Sequence, residues 1–151
     1  MAEEKIIPSP SRRDFLKNTA ITAAGFIILP RHVLGGKGFI APSDRLTIAS
    51  VGVGGKGESD IANFFKSGKA DIAFLCDVDE KRAANTVKNF PKAKYYKDWR
   101  EMFDKEGKQF DAVSVSTPDH NHAVITLAAM QMNQHVYVQK PLTHDIYEAR
   151  V

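Results

Sequence analysis

Four glycines fall within six residues, Gly52-Val53-Gly54-Gly55-Lys56-Gly57. They follow directly on the apolar run Leu46-Thr47-Ile48-Ala49-Ser50-Val51. The spacing puts a G-x-G-x-x-G turn where a strand should hand over to a helix. Each glycine of that pattern has a mechanical job. Gly52 permits the tight turn, Gly54 lets the backbone approach a pyrophosphate, and Gly57 lets helix and strand pack closely. A phosphate group would rest on the unpaired N–H groups of Gly54, Gly55 and their neighbours at the helix N-terminus, where the macrodipole is positive. A glycine cluster alone also marks ordinary loops, so the flanking elements have to decide.

Residues 58–67 place Ile61, Phe64 and Phe65 at the i, i+3, i+4 spacing of an amphipathic helix, and Gly68 suits its C-terminal cap. The next run, Ile72-Ala73-Phe74-Leu75-Cys76, reads as a parallel strand buried on both faces. It ends in Asp77. A dinucleotide-binding unit carries an acidic residue about 20 positions beyond the glycines, where it binds the adenosine ribose 2′-OH. Asp77 fits that place, and its carboxylate would repel a 2′-phosphate, which favours NAD over NADP. The competing role for Asp77 is to cap the helix that follows. Asp79 is the better cap for a helix carrying Ala83, Val87 and Phe90, which leaves Asp77 free for a ligand.

The remaining chemistry-bearing residues stand at further strand ends. Lys94-Tyr95-Tyr96 predicts a third strand, and Asp98 a cap for a helix with Trp99, Met102 and Phe103 in its core stripe. Residues 111–116 predict a fourth strand ending at Thr117-Pro118, followed from Asp119 by a helix with Val124, Leu127 and Ala128 inward. His135-Val136-Tyr137-Val138 predicts a fifth, ending at Gln139-Lys140-Pro141, after which Thr143 caps a last helix. Strands alternating with helices across short connections make an α/β fold with a doubly wound parallel sheet of Rossmann type. Ligands of such sheets bind at the carboxyl ends of the strands, where Gly52, Asp77, Thr117, Gln139 and Lys140 all fall. His120 and His122 are two apart at a helix start, so they diverge, and no third ligand accompanies them. No metal site is expected; His122 is the better candidate of the two to line the cofactor cleft.

Together the glycine turn, Cys-Asp-Val-Asp at 76–79, Ser-Thr-Pro-Asp-His-Asn-His at 116–122 and Gln-Lys-Pro-Leu-Thr-His at 139–144 resemble the Gfo/Idh/MocA oxidoreductases, and more narrowly their exported bacterial members. The resemblance covers residues 44–151. It implies an NAD(P)-binding domain in which Lys140, from the family's Glu-Lys-Pro motif, meets the nicotinamide and the substrate, and in which Thr117 and Pro118 line the cofactor. The chain departs from the motif at Gln139. Glutamine still bonds a ribose hydroxyl, but the negative charge beside Lys140 is lost. The family's second α/β domain, which forms most of the substrate pocket, is not encoded, so residues 44–151 read as the nucleotide-binding part of a longer protein.

Composition is globular, with 43% hydrophobic and 26% charged residues over 151 positions. The formal charge of +3 is modest and its lysines are interspersed with acids, which argues against nucleic acid as a partner. The single cysteine, Cys76, excludes an intrachain disulfide. Residues 1–43 read as an export signal and linker. Ser11-Arg12-Arg13-Asp14-Phe15-Leu16-Lys17 has the form of a twin-arginine signal before an apolar run from Thr19 to Leu29. That run is shorter than the roughly 20 residues of a membrane span, and it shows no clean small-x-small cleavage site. The expected location is the periplasm, reached folded through the twin-arginine machinery, with loose membrane association if the signal is retained.

Three functions are compatible with these residues. The first is hydride transfer between NAD and a sugar or polyol-like substrate. The second is a glycoside hydrolase of the same family that retains its NAD. The third is a non-catalytic nucleotide-binding protein. The fragment alone is expected to bind nucleotide weakly and to catalyse nothing, and a homo-oligomer is compatible with the sequence.

Overall fold

The computed structural model describes residues 40–151. The expected twin-arginine signal, the apolar run behind it and most of the linker lie outside the described residues. Among the described residues, no helix is long and apolar enough to cross a membrane.

Five strands, β1 (Leu46–Val51), β2 (Ala70–Cys76), β3 (Lys94–Tyr96), β4 (Ala112–Val115) and β5 (His135–Val138), form one sheet in the order β3-β2-β1-β4-β5. Every pairing is parallel. The chain builds outward from β1 through β2 to β3, then returns to the other side of β1 for β4 and β5. The reversal lies between β1 and β4, where an open α/β sheet leaves a crevice at its carboxyl edge. The glycine turn is at that edge.

Among the described residues, four α-helices cover the two faces: α1 (Lys56–Lys66), α2 (Glu80–Asn89), α3 (Trp99–Glu106) and α4 (His122–Gln131). One core layer joins Ile48, Val53, Ile72 and Leu75 to Ile61 of α1 and Ala83 of α2. The other joins Ala49, Val51, Phe74 and Val113 to Met102 of α3 and Ile125 of α4. Adjacent residues of β1 therefore feed opposite layers, which is why its sequence is apolar without alternation. A register shift opposite Ile48 and Ala49 pairs them with Ile72 and Phe74. The extra residue, Ala73, bulges β2 and resets which face its last residues take.

The caps follow the side-chain chemistry. The Asp79 carboxylate accepts from the Lys81 and Arg82 N–H groups, and that of Asp98 from Arg100 N–H. Gly68, at φ +71°, ends α1 in the left-handed conformation that glycine adopts at little cost. Phe65 is half exposed, edge-on to Phe90 at 5.3 Å, so the inward face of α1 is narrower than its spacing suggests.

Two expectations are corrected. The inward face of α4 is His122, Ile125 and Ala129, while Val124 and Leu127 are exposed. A 3₁₀ turn over Asp119–Asn121 precedes the helix. Its tighter winding changes the phase, and the almost wholly apolar sequence of α4 carries little periodicity to reveal it. Thr143 does not start an α-helix; its hydroxyl donates to the Asp145 carbonyl. The turn that does form is a 3₁₀ segment over Glu148–Arg150 with Tyr147 at its N-cap; just before it the Asp145 carboxylate accepts from Glu148 N–H, and the Glu148 carboxylate accepts from His144 N–H.

Candidate functional site

The glycine turn is held from three sides. Gly52, at φ +79°, donates to the Cys76 carbonyl at 2.8 Å. A Cβ there would lie 2.7 Å from the backbone of Ser116 and Thr117, so only glycine lets the end of β1 pass so close to the end of β4. From α2, the Thr86 hydroxyl donates to the Val53 carbonyl at 2.7 Å. From β2, Asp77 Oδ2 accepts from Val53 N–H at 2.9 Å and Gly54 N–H at 3.1 Å. Gly54 lies against Arg82, and Gly55 stands at the N-cap of α1.

Asp77 is therefore not the free carboxylate expected from the sequence. Its other oxygen, Oδ1, accepts from Asp79 N–H at 3.0 Å. The reason is local: a left-turning glycine loop exposes successive N–H groups on one side, and they need an acceptor. The carboxylate orders the turn. It lies half-buried at the cleft.

The carboxyl edge of β1, β2 and β4 opens into a cleft of about 800 Å³. Gly52, Gly54, Asp77, Thr117 and Pro118 all line it. Thr117 Oγ1 is buried with no hydrogen-bond partner, a polar atom in the wall that a bound ligand can satisfy. His120 lines the cleft and His122 does not, which corrects the choice between them. His122 is 2% exposed and sits behind the wall, its Nδ1 2.6 Å from the Pro141 carbonyl and its Nε2 2.8 Å from that of Thr117. The 3₁₀ turn before α4 rotates its ring inward.

Lys140 is exposed and stands two residues beyond β5. Its neighbours are fixed. Gln139 N–H donates to the Val115 carbonyl at 2.9 Å, and the Pro141 carbonyl is on His122. Lys140 thus projects from a short segment anchored on one side to the end of β4 and on the other to His122 at the start of α4.

Sequence reasoning missed several residues. Arg82, Lys97, Trp99 and Arg100 also line the cleft. The Arg82 guanidinium reaches over the turn, its Nη2 3.3 Å from a Cβ placed on Gly55, and Arg100 stacks on the Trp99 ring at 4.5 Å. Lys97 and Arg100 are paired with Glu80 and Asp98, which leaves Arg82, over the turn, as the cation suited to a diphosphate. The signal for Arg82 was its position in the first turn of α2, one turn from the Asp79 cap. Asp60, 4% exposed on α1, is a further residue the sequence did not single out. Its carboxylate holds Lys56 at 2.5 Å, and that partner raises the Lys56 ammonium above its usual range.

Among the described residues, no three His, Cys, Asp or Glu side chains converge as a metal site. A second concavity of about 250 Å³ lies on the apolar side of β4 and β5, lined by Ile48, Phe64, Ala112 and Val136. It brings few polar groups together and is remote from the strand ends that carry the glycine turn.

The family model for Gfo/Idh/MocA proteins, described as an oxidoreductase family with an NAD-binding Rossmann fold, matches residues 46–151. A glycosyl hydrolase family 109 protein of Shewanella pealeana is 25% identical over 161 aligned positions, which cover 91% of this chain and 35% of that protein. The WlbA dehydrogenase of Bordetella pertussis, solved with NADH and UDP-GlcNAcA, superposes with a TM-score of 0.64 at 19% identity, over 70% of this chain and 32% of its own. Myo-inositol 2-dehydrogenase of Lactobacillus plantarum gives 0.64 at 23%, over 70% and 31%. At these identities the structural likeness speaks for the fold alone. The chain spans about a third of the length of the proteins it matches. Over its NAD-binding Rossmann fold, the chain belongs to the Gfo/Idh/MocA oxidoreductase family.

Proposed function

We propose that this chain is the cofactor half of an enzyme that moves hydride between NAD and a hydroxyl-bearing carbon of a sugar or polyol. The observation that carries the reading is the clamped glycine turn at the switch point, with Asp77 behind it and the anchored Lys140 segment beside it. The fit to a dinucleotide rests on this chain's own atoms. Gly55 stands at the N-cap of α1, whose first-turn amides have no intrahelical partner, Arg82 lies over the turn, and the Thr117 hydroxyl has no internal partner.

In this reading Gly52, Gly54, Gly55 and Gly57 cradle the pyrophosphate, with Arg82 as counter-charge. Asp77 receives the adenosine ribose, while Thr117, Pro118 and Gln139 border the nicotinamide end. Bound NAD supplies the hydride acceptor. Lys140 Nζ, held between Gln139 and Pro141, exchanges the proton of the substrate hydroxyl and stabilises the charge that develops on its oxygen. The 2′-phosphate of NADP is disfavoured by the Asp77 charge.

Fluorescence titration tests the first step: NADH should bind this chain, and NADPH at least about tenfold more weakly by like-charge repulsion. Absence of nucleotide binding would overturn the reading. In the full-length protein, Lys140→Ala should lower kcat by about a hundredfold or more, the usual worth of a general acid–base group, with NADH affinity within about threefold. Unchanged turnover would instead support a non-catalytic nucleotide-binding role.

A second reading is favoured by the names of the curated relatives, which are glycosyl hydrolase family 109 proteins. In it the same cleft retains NAD and the hydride is returned within each cycle of glycoside cleavage. Turnover without added NAD and without net nucleotide reduction distinguishes it. Export is a further part of the proposal. Replacing Arg12 and Arg13 by lysine should leave the protein in the cytoplasm, and periplasmic wild-type protein should carry nucleotide detectable by mass spectrometry after dialysis.

A further inference from the structure

Asp60 has no assigned role in the cofactor site, yet it is the most connected buried side chain near it. Its carboxylate is 4% exposed and accepts from three donors on three different elements. Oδ1 accepts from Lys56 Nζ at 2.5 Å, from the first turn of α1. Oδ2 accepts from Ser116 Oγ at 3.0 Å, at the end of β4, and from Gln139 Nε2 at 2.8 Å, at the end of β5.

The geometry fixes how Gln139 is turned. Nε2 carries two hydrogens. One goes to Asp60 Oδ2 and the other to the Tyr137 hydroxyl oxygen at 3.2 Å. The reversed amide would set Oε1 against a carboxylate oxygen, acceptor on acceptor, so the orientation follows from the network. Oε1 accepts no hydrogen bond among the described residues, and it is the acceptor atom this amide offers to a ligand. A carboxylate side chain at 139 would meet Asp60 at hydrogen-bond distance with no proton between them.

We infer that Asp60 is a positioning residue that makes 139 a donor position. It orients the Gln139 amide so that an uncharged acceptor stands next to Lys140, and it ties the phosphate-cradle helix to the Lys140 segment through one buried charge. The ligand group suited to that acceptor is a hydroxyl donor, as on a ribose or a sugar. The negative charge missing from position 139 is therefore present one side chain deeper, on Asp60, where Lys56 faces it. The affinity readout below rests on the nucleotide reading proposed above; the stability readout does not.

The test is a double-mutant cycle in the full-length protein, with Gln139→Glu, Asp60→Asn and both together, read by NADH affinity and by thermal unfolding. Gln139→Glu should weaken NADH binding by about tenfold to a hundredfold, the worth of a hydrogen bond to a charged group, and lower Tm. The double variant reverses donor and acceptor, and should return NADH affinity to within about threefold of wild type and recover most of the Tm. A purely space-filling role predicts no such rescue, because the double variant alters two buried groups instead of one. Wild-type behaviour of Gln139→Glu, or a double variant no better than it, overturns the inference. If wild-type protein binds no NADH, the nucleotide reading fails, and rescue or its absence in Tm still decides the Asp60–Gln139 pairing.

Discussion

The carbonyl oxygen of Gly52 lies 1.8 Å from the point where a Cβ on Gly57 would stand. The other neighbours of that point are the Gly52 carbonyl carbon at 2.9 Å and Ser116 Cβ at 3.2 Å. The nearest obstacle is thus backbone, which cannot swing aside. Gly57→Ala must move α1 away from the end of β1, and with it the amides of the turn. The expected cost is about 3 kcal/mol or more, at or beyond the upper end for overpacking a core, accompanied by loss of NADH binding. Gly68→Ala is the control. Nothing lies within 4 Å of its Cβ, and only the φ of +71° is strained, so about 1 kcal/mol is expected. Chemical denaturation of the two variants checks both figures; equal costs would remove the argument.

The second prediction separates the two duties of Asp77. It orders the turn through Val53 and Gly54, and its charge faces the ribose end of the cleft. Asp77→Asn keeps an acceptor for the turn but removes the charge. NADH affinity should fall by about tenfold, the loss of a charge-assisted hydrogen bond, while NADPH is relieved of repulsion. The ratio of the two dissociation constants should therefore narrow. Parallel fluorescence titrations measure it, and an unchanged ratio would assign Asp77 to loop structure alone.

Much of the frame was legible in the sequence because local chemistry and global fold agree there. The glycine turn, the Asp79 and Asp98 caps, Gly68 and the strands over Lys94–Tyr96 and His135–Val138 all stand where their residues put them. The failures have physical reasons. The inward face of α4 depends on the phase of the 3₁₀ turn before it, and an almost all-apolar helix gives no periodicity to correct the error. Thr143 caps no helix because its hydroxyl donates to the Asp145 carbonyl instead of accepting from a helix N–H. Within the site, position along the chain located strand ends but not hydrogen-bond partners. Gln139 was visible as a departure from a motif; the buried Asp60 that makes a donor fitting there is 79 residues away. His122 was taken for a cleft residue for the same reason, since its carbonyl partners are set by the packing of α4.

Glu106 supplies a pH-dependent term in stability. It is buried at the end of α3 and accepts from Lys94, which chiefly holds its carboxyl below the usual carboxylate range, and from the Tyr96 hydroxyl. The folded state binds the proton less readily than the unfolded chain, in which glutamate titrates near its ordinary value of about 4.3. The contribution is therefore present above that value and is lost as pH falls through the lower folded one. Glu106→Gln should be less stable than wild type by a constant margin from pH 7 down to about pH 5, and the margin should narrow towards pH 3. Thermal unfolding across that range checks it, and a margin independent of pH would assign the effect to packing.

Cys76 gives the last prediction, because it joins stability to nucleotide binding in one measurement. Burial is the main reason its thiol is pushed up to about 12, with the neighbouring Asp77 charge adding to it. At pH 8 it is a thiol, and at 2% exposure it is shielded as well. Its own carbonyl accepts from Gly52 N–H at the end of the β1–β2 pairing, at the wall of the nucleotide cleft. Iodoacetamide should leave the native chain unmodified over hours and label one site in guanidinium, since the sequence has one cysteine. Slow labelling of the native protein should then report the population of the opened state. A ligand that binds only the folded form lowers that population by about a hundredfold at a concentration of 100 Kd. NADH should therefore slow Cys76 labelling by that factor, whereas a nucleotide the site does not hold should leave the rate unchanged. Labelling that is fast, or indifferent to saturating NADH, would mean that the sulfur is reached by a local opening outside the nucleotide cleft.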